Sequence, residues 1–134
     1  RIIVCSGYMR HEIHRALSSP WDKIDVVYNG IRAEKKQRDP KFDYVNFRRL
    51  FACDHEKIVY YVGRMTFEKG VAVLLNAAPK ILWEMGGAAK FVIIGGGNIE
   101  RLQLQALHLG IYNKCYFTGF MSDEDLDKFQ TVAD

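Results

Sequence analysis

Two cationic side chains flanked by glycines are the residues of this sequence best suited to bind a charged ligand. Arg64 and Lys69 stand five positions apart, between Gly63 and Gly70, after an apolar run and before a helical pattern. A guanidinium can grip two phosphate oxygens as a planar fork, and an ammonium adds a mobile point charge. The start of a helix favours an anion at the same place. The pattern predicts a diphosphate site, but solvated loop cations, or cations paired with Glu68, would give the same sequence.

A run of three glycines follows the next apolar segment. Gly95 and Gly97, with Asn98 after them, partly match the dinucleotide-binding pattern G-x-G-x-x-G. Glu100 stands where the third glycine belongs, and the run follows the second strand of its unit instead of the first. A turn that needs positive φ and a close approach of two chain segments is therefore the favoured interpretation. A backbone passing close to a substrate is compatible with it.

A third short loop is predicted at 118–121, after another apolar run. Gly119 would let the chain turn close to a ligand, and Thr118 and Met121 flank that turn. Phe120 has two interpretations, a ring beside a nucleotide base or a ring packed in the core. The three loops are the candidate site.

Metal, hydrolase and P-loop chemistry find no support in the sequence. The segment His11-Glu12-Ile13-His14 spaces its histidines by three positions, whereas the zinc motif H-E-x-x-H spaces them by four. G-x-S-x-G and G-x-x-x-x-G-K-[ST] are both absent. Three widely separated cysteines without C-x-x-C predict buried, reduced thiols and a cytoplasmic protein. We therefore expect no metal site.

The elements that must position these loops follow from the apolar periodicity. Three short apolar runs alternate with amphipathic patterns, which predicts β-α-β-α-β-α and an α/β fold with a Rossmann-like parallel sheet covered by helices on both faces. Ligands of such sheets bind beyond the carboxyl ends of the strands. The predicted strands are 57–62, 90–94 and 114–117, and the predicted helices are 70–85, 98–109 and 122–132.

The first part of the chain predicts a smaller set of elements. A strand at 2–5, a helix at 8–17 and a strand at 24–28 precede a basic segment, and a short helix at 45–52 follows it. The apolar stripe of that short helix is predicted to be Phe47, Leu50 and Phe51.

The basic segment holds most of the excess positive charge. Seven basic and three acidic residues lie between positions 31 and 49, in a chain whose net charge is +3. A solvated linker is the favoured interpretation, and a surface that attracts phosphorylated ligands or anionic lipid, with peripheral membrane contact, is the alternative. A nucleic-acid partner would require a broader basic face, so none is predicted. Apolar runs long enough for a membrane span are also absent.

Several blocks together resemble the group 1 glycosyltransferases, a family of retaining enzymes. The resemblance rests first on the strand and loop of 57–64 and on Glu68-Lys69-Gly70 with the following helix around Leu74-Leu75-Asn76-Ala77-Ala78. Further blocks are Ile2-Ile3-Val4-Cys5-Ser6 with Tyr8-Met9, the hinge-like run 23–30, and the two strand–loop runs 91–97 and 116–120. The combination covers nearly the whole chain except the basic segment.

The resemblance implies a GT-B architecture of two Rossmann-like domains. Residues 1–32 would end the first domain and form the hinge, 33–56 would be a basic linker with a short helix, and 57–134 would begin the second domain, which is truncated here. The implied activity is transfer of a sugar from a UDP-, GDP- or ADP-linked donor to an unidentified acceptor, with retention of configuration and without a metal. The resemblance also implies no cofactor, because the nucleotide sugar is a substrate.

The resemblance also implies roles for individual residues. Arg64 and Lys69 would stabilise the donor diphosphate and the leaving nucleotide. Gly63, Gly95 and Gly97 would line the donor side, and 118–121 would lie near the base.

Two departures from the family pattern qualify these roles. Arg32 stands where the family often has Asp, and the Glu-x7-Glu element is missing, so it is expected after Asp134. The chain alone is therefore expected to be inactive. Two alternatives stay open, an NAD(P)-binding oxidoreductase half-domain and a non-catalytic binding module.

Overall fold

A computed structural model describes residues 1–30 and 39–134, and these residues fall into two compact units. The first unit is Arg1–Gln37 and the second is Arg38–Asp134. Residues 31–38, which include Arg32 and the first part of the predicted basic linker, lie outside the described residues. The two units are described separately below.

The first unit is a strand–helix–strand element. Strands β1 (Ile2–Val4) and β2 (Ile24–Val26) pair in parallel and are connected through helix α1 (Gly7–Leu17) and a 3₁₀ turn at Trp21–Lys23. The Ser6 hydroxyl accepts a hydrogen bond of 3.1 Å from the Met9 N–H and caps α1. The predicted elements are confirmed, with both strands shorter than predicted. Strand β1 ends at Val4 because the chain then turns into α1. Strand β2 ends at Val26, which is the last residue of β2 paired with β1.

The second unit contains a three-stranded parallel sheet. Its strands are β3 (Lys57–Val62), β4 (Ala89–Ile94) and β5 (Cys115–Gly119), in the order β3-β4-β5. Strand β5 runs two residues further than predicted, so Thr118 and Gly119 belong to the strand instead of the loop. A register irregularity between Ile93 and Ile94 lets Ile94 pair with Gly119 and extends the ladder.

Helices cover both faces of this sheet, as predicted. Helices α3 (Val71–Glu84) and α4 (Ile99–His108) share one core with Phe91 and Ile93. Helix α5 (Asp123–Val132) packs on the opposite face against Val92 and Ile94. Because both faces of β4 are covered, its apolar residues are continuous instead of alternating.

The short helix α2 (Tyr44–Arg49) packs against helix α5 within the second unit. The ring of Phe47 lies 5.1 Å from that of Phe129 in α5, and the ring of Phe51 lies 4.7 Å from it. The predicted apolar stripe is wrong for Leu50, which is 69% exposed. Leu50 follows the last residue of α2, and the rings of Phe47 and Phe51 make the contact with α5, so the Leu50 side chain is left exposed.

The prediction of buried cysteines is wrong for two of the three thiols. Cys5 and Cys53 are exposed, since Cys5 follows the last residue of β1 and Cys53 lies in the turn before β3. Cys115 is partly buried in β5, and burial raises the pKa of its thiol to about 11.

Candidate functional site

The three predicted loops meet at the carboxyl edge of the β3-β4-β5 sheet. The Gly63 N–H donates to the Ile94 carbonyl at 3.0 Å, and the Met65 N–H donates to the Gly96 carbonyl at 2.9 Å. The Gly95 N–H donates to the Gly119 carbonyl at 2.7 Å. The segment after β3 is therefore tied to the glycine run after β4, and that run is tied to the end of β5.

Gly95 and Gly97 are required by this close approach. Gly95 has a φ of +138°, and a Cβ atom added to it would lie 1.9 Å from the Gly63 carbonyl oxygen. Gly97 has a φ of +131°, and its added Cβ would lie 3.0 Å from the Cβ of Met65. Only glycine fits two such positions without moving the neighbouring loop. The interpretation of the run as a turn with a close chain approach is confirmed.

The two cations stand on the segment that this contact holds. Arg64 and Lys69 are both exposed, and neither side chain forms a hydrogen bond or ion pair with another residue in the part of the chain that the structure describes. Lys69 ends a 3₁₀ turn, Phe67–Lys69, and Gly70 then turns the chain into α3 with a φ of +72°. Both charges are available to an incoming anion.

Glu68 lies between the cations in sequence and affects them only through its charge. The pKa of its carboxyl group is lowered, first by its own backbone N–H, then by the Thr66 hydroxyl and by the charges of Arg64 and Lys69. The direct pairing considered from the sequence is not seen among the described residues, whose ion pairs of 4.0 Å or less do not include Glu68.

Tyr61 fixes the backbone at Arg64 while leaving the guanidinium free. The Tyr61 hydroxyl donates to the Arg64 carbonyl at 3.1 Å. Burial raises the pKa of Tyr61, and the negative charge of Glu68 adds to this rise. A Cβ atom on Gly63 would lie 2.8 Å from the Tyr61 hydroxyl oxygen, so Gly63 leaves room for this contact.

The end of β5 contributes one exposed ring and one core side chain. Phe120 is 88% exposed, so its predicted alternative as a core residue is wrong. Phe120 is exposed because it follows Gly119, which pairs with Ile94 and is the last residue of β5. Met121 is half-buried and packs against the core below α5. The Thr118 hydroxyl donates to the Gly119 carbonyl at 3.1 Å, while Gly119 turns with a φ of +73°.

Two residues at this edge are absent from the sequence-based prediction. Phe67 is 90% exposed within the cation-bearing segment, and Arg101 lies in the first turn of α4. Together with Thr66 they line a cavity of about 70 Å³. Phe67 could have been singled out from the sequence because it is an aromatic residue next to charged ones. No local sequence pattern marks Arg101.

The part of the chain that the structure describes has neither a metal-binding cluster nor a membrane-spanning helix. No cluster of three or more histidine, cysteine, aspartate or glutamate side chains within 1–30 and 39–134 is arranged to hold a metal ion. Over those same ranges, the helices are too short and too polar to cross a lipid bilayer.

The sequence of the second unit matches that of a known protein family. Residues 45–134 match the sequence model described as "Glycosyl transferases group 1". The chain belongs to this glycosyltransferase family. The matched part contains the whole carboxyl edge described above, including both cations and the glycine run.

Known glycosyltransferases resemble the chain along its length. An uncharacterized glycosyltransferase of Methanocaldococcus jannaschii is 34% identical over 137 residues, which cover 100% of this chain and 35% of that protein. A GDP-mannose-dependent α-(1-6)-phosphatidylinositol monomannoside mannosyltransferase of Mycobacterium tuberculosis is 25% identical over 129 residues, covering 96% and 33%.

A solved structure supports the fold of this glycosyltransferase chain. WaaG, a glycosyltransferase involved in lipopolysaccharide biosynthesis, superimposes with a TM-score of 0.83 at 13% sequence identity, covering 98% of this chain and 36% of WaaG. The chain spans about a third of the length of the curated relatives it matches.

Proposed function

We propose that the protein containing this chain transfers a sugar from a nucleotide-diphospho-sugar to an acceptor, with retention at the anomeric carbon. The observation that carries the proposal is the exposed, unpaired state of Arg64 and Lys69 on a segment bonded to the glycine run. In this proposal, the chain supplies the diphosphate-binding part of the donor site.

The proposed role of the two cations follows from the charge that develops in the reaction. As the bond between the sugar and the diphosphate breaks, negative charge accumulates on the leaving nucleotide. Arg64 would hold two phosphate oxygens as a fork, and Lys69 would add a second positive charge. Because neither cation has an ion pair within the described residues, no such contact must break before the donor binds.

The remaining donor contacts are proposed for the other two loops. Gly63, Gly95 and Gly97 present backbone without side chains, so a substrate can approach closely. Gly119 and Thr118 would form the floor beside the base, and the exposed ring of Phe120 would stack on it. Met121, which is partly packed in the core, would hold that loop in place.

The relatives support a nucleotide-sugar donor without fixing its base. The mycobacterial relative is named as GDP-mannose-dependent, and the side chains of the present loops select no single base. UDP-, GDP- and ADP-sugars are therefore all candidates, and a metal-independent reaction is expected. Membership in the family favours this function over the NAD(P)-binding alternative.

The test is a donor screen on the full-length protein with three matched variants. Arg64→Ala and Lys69→Ala should each lower kcat/KM by about 10²–10³-fold, because each removes a charge that stabilises the transition state. Lys80→Ala is the control, since Lys80 is an exposed cation at the far end of α3, 3.8 Å from Glu84. It should retain full activity.

Two outcomes would refute the proposal. One is undiminished transfer by both site variants. The other is a full-length protein that binds NAD(P), or a non-nucleotide partner, and transfers no sugar from any of the three donor classes.

A further inference from the structure

A groove along helix α4 has the chemistry of a carbohydrate site. It is lined by Glu100, Gln103, Leu104, Leu107 and Tyr112, and its volume is about 390 Å³. We call it the α4 groove. Pockets that hold small ligands have volumes of about 300–1,000 Å³, so the α4 groove has room for one or two sugar rings.

The spacing of the lining residues places them on one side of α4. The four groove residues that belong to the helix stand at positions i, i+3, i+4 and i+7, which share a helix face. The core of the sheet takes a different face, which carries the buried Leu102 and Ala106. Tyr112 comes from the 3₁₀ turn Tyr112–Lys114, which connects α4 to β5. The α4 groove therefore extends from the first turn of the helix, just after the glycine run, to the turn before β5.

Three polar side chains of the α4 groove are available to a ligand. The Glu100 carboxylate, the Gln103 amide and the Tyr112 hydroxyl form no hydrogen bond or ion pair with any residue of 1–30 or 39–134. A carboxylate accepts hydrogen bonds, whereas an amide and a phenol both donate and accept them. This set matches the hydroxyl groups of a sugar, because each hydroxyl is a donor and an acceptor at once.

The same groove presents apolar surface that a sugar ring can cover. Leu104, Leu107 and Tyr112 are between 47% and 60% exposed. A pyranose carries C–H groups on its faces and hydroxyl groups around its rim, so one ring can cover apolar side chains while its rim meets polar ones. A tyrosine suits such a ligand because it combines an apolar ring with a polar hydroxyl. Removal of the two leucines from water would favour binding.

The mixture of groups disfavours other classes of ligand. The Glu100 carboxylate would repel a phosphate or a carboxylate bound next to it. A hydrocarbon chain would separate three polar side chains from water without giving them partners, which is costly. A neutral polyol satisfies both the polar and the apolar lining of the groove.

We propose that the α4 groove binds a neutral saccharide, with its ring against Tyr112 and the two leucines and its hydroxyl groups bonded to Glu100 and Gln103. The saccharide would belong to the acceptor or to the product and would be held apart from the two cations. This choice of ligand rests on the proposed function, because a protein that transfers sugar meets a saccharide in every reaction cycle.

Saturation-transfer NMR and titration calorimetry on the full-length protein test the groove with maltotriose, α-linked mannotriose and chitotriose. At least one of these should bind. Glu100→Gln should raise its Kd about threefold or more, because a charge-assisted hydrogen bond becomes a neutral one. Tyr112→Phe should raise the Kd about threefold through the loss of one hydrogen bond. Tyr112→Ala should raise it about tenfold or more, since apolar contact area is lost as well.

Matched controls come from α3, the other helix on this side of the sheet. Glu84→Gln removes an exposed carboxylate charge, and Trp83→Ala removes an exposed aromatic ring. Neither side chain lines the α4 groove, so each control should change the Kd less than about twofold. Glu100→Gln and Tyr112→Phe should leave Tm unchanged, because neither substitution removes a hydrogen bond between described residues. Weaker binding in these variants is then separated from unfolding.

Three results would overturn the inference. The first is that none of the trisaccharides binds the wild-type protein, and the second is wild-type affinity in all three groove variants. The third is an oligomer, seen by analytical ultracentrifugation, that dissociates in Leu104→Glu, because a second copy of the chain would then cover the groove. The proposed function is judged separately, by the transferase activity of Arg64→Ala and Lys69→Ala.

Discussion

Replacing Gly95 with alanine places a methyl group where the Gly63 carbonyl oxygen already lies. The new Cβ would be 1.9 Å from that oxygen, and the residue has a φ of +138°. Overpacking costs about 1–3 kcal/mol, and an unfavourable backbone conformation costs about 1–3 kcal/mol. The reduced freedom of the unfolded chain offsets about 0.4–1 kcal/mol of this. We expect a net loss of about 1–5.6 kcal/mol in the free energy of unfolding.

Thermal and urea unfolding of the full-length protein measure this loss. For a unit of this size, the Tm of the transition containing the second unit should fall by roughly 4–45 °C. Gly96→Ala is the control without a clash, because its added Cβ meets no atom within 4 Å. Gly70→Ala has a positive φ of +72° in open space, so it tests left-handed backbone strain without a clash, at a cost of about 1–2 kcal/mol.

The order of the three variants is the decisive result. We expect Gly96→Ala to cost least, Gly70→Ala to cost more, and Gly95→Ala to cost most. If Gly95→Ala is no less stable than Gly70→Ala, the close contact between the two loops does not constrain the site, and the reasoning is refuted.

Three further predictions concern charge and reactivity outside the loops. The Lys57 ammonium and neighbouring donors lower the pKa of Asp134 in the folded protein to about 2. The Asp134 carboxylate therefore stabilises the fold fully above the pKa of the unfolded chain, near 3.9. This stabilisation is lost as the pH falls through about 2. In Asp134→Asn, the urea unfolding midpoint should therefore change less with pH between those limits than it does in the wild-type protein. The same dependence on pH in both proteins would contradict this. Glu56 is buried and accepts a hydrogen bond of 3.0 Å from the Lys114 ammonium, so Glu56→Gln should lower the free energy of unfolding by about 1–3 kcal/mol, whereas an unchanged urea midpoint would count against the pair. A thiol reagent at pH 8 should modify exposed Cys53 well before Cys115, whose thiol has a pKa of about 11; equal rates by mass spectrometry would disprove this.

Much of the second unit follows from local sequence signals. The unbroken apolar run of β4 identifies a strand covered on both faces, and structure confirms its burial. Asn98 and Ser122 each accept a hydrogen bond from an N–H three residues later, so the predicted helix starts are correct. These features depend on periods and caps within a few residues, which is why a single sequence is sufficient to predict them.

Features that depend on contacts between distant parts of the chain could not be predicted from local sequence patterns. The exposure of Leu50 depends on how Phe47 and Phe51 meet α5, about 80 residues later in the chain. The cavity lined by Thr66, Phe67 and Arg101 joins residues about 35 positions apart in sequence, and only the three-dimensional structure brings them together. Sequence therefore predicts the cations and the glycines, but not which further side chains stand beside them.

The backbone bonds that join the three loops have a consequence for how substrate preference can change. Met65, Gly95 and Gly119 join the three loops through main-chain hydrogen bonds, to which the Tyr61 hydroxyl adds one bond with the Arg64 carbonyl. Exposed side chains at 67 and 120 can therefore be exchanged without rebuilding the frame on which the cations stand. Under the proposed function, single substitutions at these two positions would change the base or sugar preference while the backbone frame of the proposed diphosphate site stays the same.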